Sequence, residues 1–197
     1  MVSALTVAGA GRPYPGESVT GDAWTVHRQG DVWRIAVVDG LGHGPDAAEA
    51  ANAALGILDA QPQMSPVDAL RACHAALRGT RGAAIGIALI DLERACLSFV
   101  GVGNVEAHLR QSGAEQRLIS YRGIVGAVLP TPRSFDYPLA SDWLLVLHTD
   151  GVSARFDLEM EAGEVAGQPA ALADRLLERW ARATDDATVV VVVPGAA

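Results

Sequence analysis

Three runs of branched apolar residues meet an acid at one end. "VWRIAVVDG" closes on Asp39, "LLVLHTDG" closes on Asp150, and "TDDATVVVVV" opens on Asp185 and Asp186. Runs of this composition read as buried strands. A carboxylate at the end of a buried strand is costly unless something pairs with it, and no Lys or Arg flanks these corners closely. A fold that accommodates them gathers the strand ends at one edge and gives the charges a partner. The cheapest partner is a divalent metal ion. Oxygen ligands without Cys or His spacing favour Mg²⁺, Mn²⁺ or Ca²⁺ over zinc. The adjoining glycines let backbone carbonyls and waters approach such an ion. "VTGDAW", where Asp22 opens a strand, is a fourth and weaker corner.

Taken singly, each Asp-Gly pair reads as a turn with no chemistry. Together they point to a site. Gly42-His43-Gly44-Pro45-Asp46-Ala47 also fits the G-x-G-x-x-A of a dinucleotide fold, which requires a second parallel strand ending in an acid. Here a second helix and then hairpins follow, so that reading is set aside.

The chain has 197 residues, 50% of them hydrophobic, with mean hydropathy +0.21 and 19% charged. These values predict one folded domain over 1–197 with a well-filled core. A net charge of -8 and a pI near 5.0 speak against nucleic-acid binding, which depends on Lys and Arg at phosphates. They also leave no polybasic handle for a membrane. No apolar run reaches the roughly 18 residues of a membrane span. The N-terminus lacks a positive leader region. The expectation is a cytoplasmic protein with Cys73 and Cys96 as unpaired thiols.

The coarse element order is strands near 4–8, 23–28 and 32–39, then helices from Pro45 to about 59 and from Pro66 behind the Ser65 cap. The second helix turns Val67, Leu70, Ala76 and Leu77 inward. Strands follow at 83–91 and 95–103, in "VEAHLR" and "EQRLIS", in "RSFDYPL" and at 142–150. A helix at about 170–182 carries Leu172, Leu176, Leu177 and Trp180 on one face, and "TVVVVV" closes the chain. The class is α+β, with sheets packed face to face and helices outside.

In order, Gly21-Asp22, Asp39-Gly40-Leu41-Gly42-His43-Gly44, Thr149-Asp150-Gly151 and Asp185-Asp186-Ala187-Thr188 resemble the metal-dependent Ser/Thr protein phosphatases (PPM family). Within that family they resemble the SpoIIE-like branch, with its "GD", "DGxGHG", "(S/T)DG" and "DDxT" motifs. The bare domain, "DGLGHGP" and "VGVGN" further resemble stand-alone RsbX-type stressosome phosphatases. The resemblance implies an αββα sandwich of two antiparallel sheets between helical layers, with two Mn²⁺ or Mg²⁺ ions at one end. It implies that Asp39 bridges the ions and the Gly40 carbonyl reaches one, that Asp150 and Asp185 hold the first ion, and that Asp22 serves the second. Asp186 and Thr188 would order the last corner, and Asn104 would stand at the site's edge. The catalytic set would be Asp39, Asp150 and Asp185, acting through metal-activated water, with His43 in lesser standing.

Leu41 stands where many relatives carry a general-acid His, and His43 reads first as a loop histidine bonded to backbone. Arg12 and Arg122 are the candidates for a phosphate-binding Arg. His27, His74, His108 and His148 share no spacing and read as packing or surface residues. The expected partners are phosphorylated STAS-domain proteins, and the expected state is a monomer. Two other readings stay open: an RsbU-like phosphatase of anti-anti-sigma factors, and a metal-free pseudophosphatase that serves as a binding module.

Overall fold

The strands β3 (Val32–Gly40) and β11 (Ala187–Pro194) are apolar on both faces. Ile35 and Val37 of β3 enter the same core as Val190 and Val192 of β11, while Ala36 and Val38 enter a second core and Val189 and Val191 a third. Strands of this kind need cover on both sides, and four layers supply it. The computed structural model describes residues 4–165 and 168–195.

One sheet has the order β1 (Leu5–Arg12), β11, β10 (Leu144–His148), β6 (Glu106–Gln111), β7 (Ala114–Arg117), and every pairing in it is antiparallel. The other runs β2 (Asp22–Gln29), β3, β4 (Ala83–Asp91), β5 (Cys96–Val102), β8 (Ser120–Tyr121), with β9 (Phe135–Pro138) also paired to β5. The helices α1 (Pro45–Ala60) and α2 (Pro66–Ala76) cover the second sheet. The helices α3 (Leu158–Glu164) and α4 (Pro169–Trp180) cover the first. The face that α1 turns inward is Ala47, Ala50, Ala51, Ala54 and Leu58, so small side chains set it close against β2 and β3.

The expected αββα sandwich is the one observed, with differences of detail. The sheets are mostly antiparallel, but β8 runs parallel to β5. Ala76 is exposed and Val67 half-buried, and Ala69 and Cys73 take the inward positions with Leu70. The helix α3 was not expected. Asp157 caps it by accepting from the Glu159 and Met160 amides at 2.9 and 3.2 Å. Its fully buried Glu161 accepts from Arg175 Nε at 2.5 Å and Trp180 Nε1 at 2.9 Å, which docks the helix on α4. Cys73 and Cys96 are both free thiols, and burial pushes Cys73 up to about 12. No described helix is long and apolar enough to cross a membrane.

Candidate active site

Asp22 and Asp39 are register partners at the ends of β2 and β3. Asp150 follows β10, and Asp185 precedes β11, which pairs with β10. Each sheet therefore contributes two acids to the same end of the sandwich. The Thr149 hydroxyl ties the sheets together there. It donates to Asp22 Oδ2 at 2.7 Å and accepts from the Thr188 amide at 3.0 Å.

The electrostatics are those of crowded carboxylates. Burial raises Asp22 to about 7, with Asp186 and Asp185 adding to the rise and hydrogen bonds from Thr149 and Thr188 opposing it. Asp39 is pushed well above the usual carboxylate range, first by burial and then by the charges of Asp22, Asp150 and Asp185. The neighbouring Asp150 carboxyl further favours the protonated form of Asp39. Asp185 rises through burial and Asp150, and His43 opposes that rise. None of the leading influences on these three acids is an Arg.

The glycines of the corners serve close approach rather than turn geometry, since neither Gly40 nor Gly151 has positive φ. A Cβ on Gly40 would stand 2.1 Å from the Ala47 carbonyl oxygen of α1. One on Gly151 would stand 1.7 Å from the Asp186 carbonyl oxygen. Any side chain at either position would push the helix or the β11 corner away from the acids.

Asp186 is buried and accepts from the Tyr14 amide at 2.8 Å. Its Oδ2 is buried without a hydrogen-bond partner. Asn104 donates to Asp150 Oδ2 at 2.5 Å, from just after the positive-φ Gly103. Arg12 is turned to the carbonyls of Pro13 and Arg182. Arg122 lines a cleft with Leu41, Asn104 and Ile124, next to the acidic end. Thr149 and Tyr14 are the site-forming residues whose roles sequence reasoning missed. Thr149 stood inside a recognised motif, but Tyr14 carried no signal.

His43 is not bonded to backbone as expected. Its ring stacks on Tyr14 with centroids 4.2 Å apart, and Nδ1 lies 3.1 Å from Glu17 Oε1. With its side chain 50% exposed, it orders the 13–17 loop over the acids. His43→Ala is therefore expected to reduce kcat by about tenfold or less. A loss in the roughly 10²–10⁴ range of a general acid would assign it that role instead.

The family model described as Stage II sporulation protein E (SpoIIE) matches residues 29–193. The chain belongs to the SpoIIE family. It is thus a SpoIIE-like PPM protein phosphatase, and solved structures agree on the fold. A chain described with the bacterial stressosome, "a modular system that has been adapted to control secondary messenger signaling", superposes with TM-score 0.90 at 28% identity, covering 96% of this chain and 99% of that one. RsbX in complex with magnesium gives TM-score 0.85 at 21% identity, over 95% and 94% of the two chains. The PP2C domain of SpoIIE from Bacillus subtilis, solved with a fragment of its regulatory domain, gives 0.78 at 21%, over 96% and 63%. No curated protein matches the sequence.

Among the described residues of this SpoIIE-family chain, a compact group of His and Glu ligand atoms lies elsewhere. Glu106, His108 and His148 bring ligand atoms within 4.8 Å of one another. His108 and His148 are fully buried and face each other, a juxtaposition that their lack of shared spacing gave no hint of. Both sit on the α3/α4 face of β6 and β10, brought together by the register of the two strands.

Proposed function

We propose that this chain is a metal-dependent phosphoserine/phosphothreonine phosphatase of RsbX type, acting on phosphorylated STAS-domain proteins of a stressosome. The observation that carries the reading is the convergence of Asp22, Asp39, Asp150 and Asp185 from two sheets, with no Arg among the leading influences on Asp22, Asp39 or Asp185. The crowding that favours a proton on Asp39 marks a position suited to a cation. Hard divalent ions, Mn²⁺ or Mg²⁺, suit an all-oxygen donor set of this kind. In this reading Asp39 would serve two ions, the Gly40 carbonyl would serve one of them, Asp150 and Asp185 would hold the first, and Asp22 would serve the second. Bound there, such ions acidify water and neutralise phosphate charge.

The chain's own residues do the rest. Thr149 fixes the Asp22 carboxylate, and Asn104 fixes that of Asp150. Asp186 holds the Tyr14 loop, and through it the His43 ring, above the acids. Arg122, exposed beside Asn104, is the residue best placed to meet a phosphate.

Substrate class rests on likeness to the stressosome chain and to RsbX. A net charge of -8 gives no long-range attraction to acidic phosphoproteins, so recognition is expected to depend on a folded surface around the phosphorylated residue. With Mn²⁺ present, initial rates on a phosphorylated stressosome scaffold should exceed those on a phosphorylated anti-anti-sigma factor. Both should exceed those on short phosphopeptides. Preference for the free anti-anti-sigma factor would favour the RsbU-like reading, which likeness to the RsbU and RsbW domains of Rv1364c from Mycobacterium tuberculosis supports. Equal kcat/KM on short peptides would defeat surface recognition altogether.

A further inference from the structure

His108 and His148 come from neighbouring antiparallel strands, where Glu106 lies opposite His148 and His108 opposite Val146. All three polar side chains therefore share one face of the sheet, under Phe156, whose ring centroid is 5.0 Å from His108 and 5.5 Å from His148. Both histidines are fully buried.

Their tautomers follow from their outer partners. His148 Nδ1 is 2.9 Å from the Thr149 carbonyl oxygen, which can only accept, so Nδ1 carries a hydrogen. His108 Nδ1 is 2.7 Å from Glu115 Oε1, and donates to that carboxylate. This leaves both Nε2 lone pairs pointing at each other across 3.3 Å. Two acceptors cannot bond each other, so this contact calls for a bridging proton or a bridging ion, and 3.3 Å is long for the proton. By contrast, two nitrogens each about 2.0–2.1 Å from a tetrahedral zinc ion stand about 3.3–3.4 Å apart. A carboxylate is also at hand, with Glu106 Oε2 at 3.6 Å from His108 Nε2 and about two-fifths exposed toward solvent. Arg117 Nη1 stands 3.6 Å from that same Glu106 oxygen.

We propose that His108 Nε2, His148 Nε2 and a Glu106 carboxylate oxygen form a second metal site, of His₂Glu type, that takes one Zn²⁺ apart from the acidic end of the sandwich. Glu115 and the Thr149 carbonyl are its outer partners, fixing each imidazole with Nε2 free, as metal-bound histidines are commonly held. The ion would pin β6 to β10 two residues before Asp150.

Cobalt distinguishes this site from the acids, because four-coordinate Co²⁺ with imidazole ligands absorbs visible light far more strongly than six-coordinate Co²⁺ among oxygens. Full-length protein stripped of metal and titrated with Co²⁺ should develop one equivalent of intense visible absorption, and Zn²⁺ should bleach it stoichiometrically. Glu106→Gln and Glu115→Gln change partly or largely exposed side chains and should fold. They should weaken Co²⁺ binding by about 10–100-fold. Asp39→Asn should leave the absorption intact. Absence of the intense bands in wild type would overturn the proposal. So would bands lost in Asp39→Asn but unchanged in both Glu variants. The readout is spectroscopic, so it stands whether or not the phosphatase reading holds.

Discussion

Asp39→Asn is expected to remove p-nitrophenyl phosphate hydrolysis in Mn²⁺, by more than about 10³ in kcat, beyond the loss from deleting a single stabilising donor. Asp39 lies where the fields of Asp22, Asp150 and Asp185 meet, so its charge bears on every other acid of the cluster. Asp150→Asn and Asp185→Asn should come close to it. The variant should still fold. In chelator it should melt above wild type, because an amide at position 39 removes a buried acid repelled by its neighbours. Activity within tenfold of wild type would dismiss the carboxylate cluster as the reaction centre. A variant that fails to fold would make Asp39 a structural residue.

EDTA is expected to bring turnover to background and to expose a pH dependence of stability. Asp22, at about 7, and Asp39 both hold protons in the folded chain well above the roughly 3.9 of an unfolded aspartate. The folded, chelated protein therefore binds more protons than the unfolded chain as pH rises above about 4. Its stability should fall through that window up to the folded values and level off beyond them. An added divalent ion displaces those protons, so its stabilisation should grow with pH over the same window. Thermal melts from pH 5 to 9, with EDTA and with Mn²⁺, read both effects. Full activity in EDTA would defeat the metal reading. A wild-type melting temperature that tracks Asp39→Asn across the whole range would show that the acids are not strained.

Much of this was legible because each corner carries its own chemistry. Strands apolar on both faces announce cover on both sides, and an acid at their end announces a charge to be partnered. β3, β10 and β11 state this in a few residues each. Helix α2 was readable down to its Ser65 cap, which accepts from the Asp68 amide at 3.2 Å. The helix α3 was missed because its seven residues are too few for periodicity, and its signal reduces to Asp157 before a polar stretch. The Asp-Gly glycines were legible as points of close approach, but sequence cannot show that the backbone passing within contact distance is that of Ala47 or Asp186. Tyr14 and the histidine pair depend on juxtapositions across 172 and 40 residues of chain, and no local pattern encodes those.

The bond from Thr149 to Asp22 spans 127 residues and crosses from one sheet to the other. Contacts of such separation form late, because the loop they close is costly before any other contact rewards it. In refolding, secondary structure and the burial of α1 on β3 should therefore return ahead of catalysis. The recovery of turnover would then act as a clock for the final closure of the two halves. For the same reason, cutting the chain anywhere between Asp22 and Asp185 divides the acids between fragments, and function would return only where those fragments reassociate.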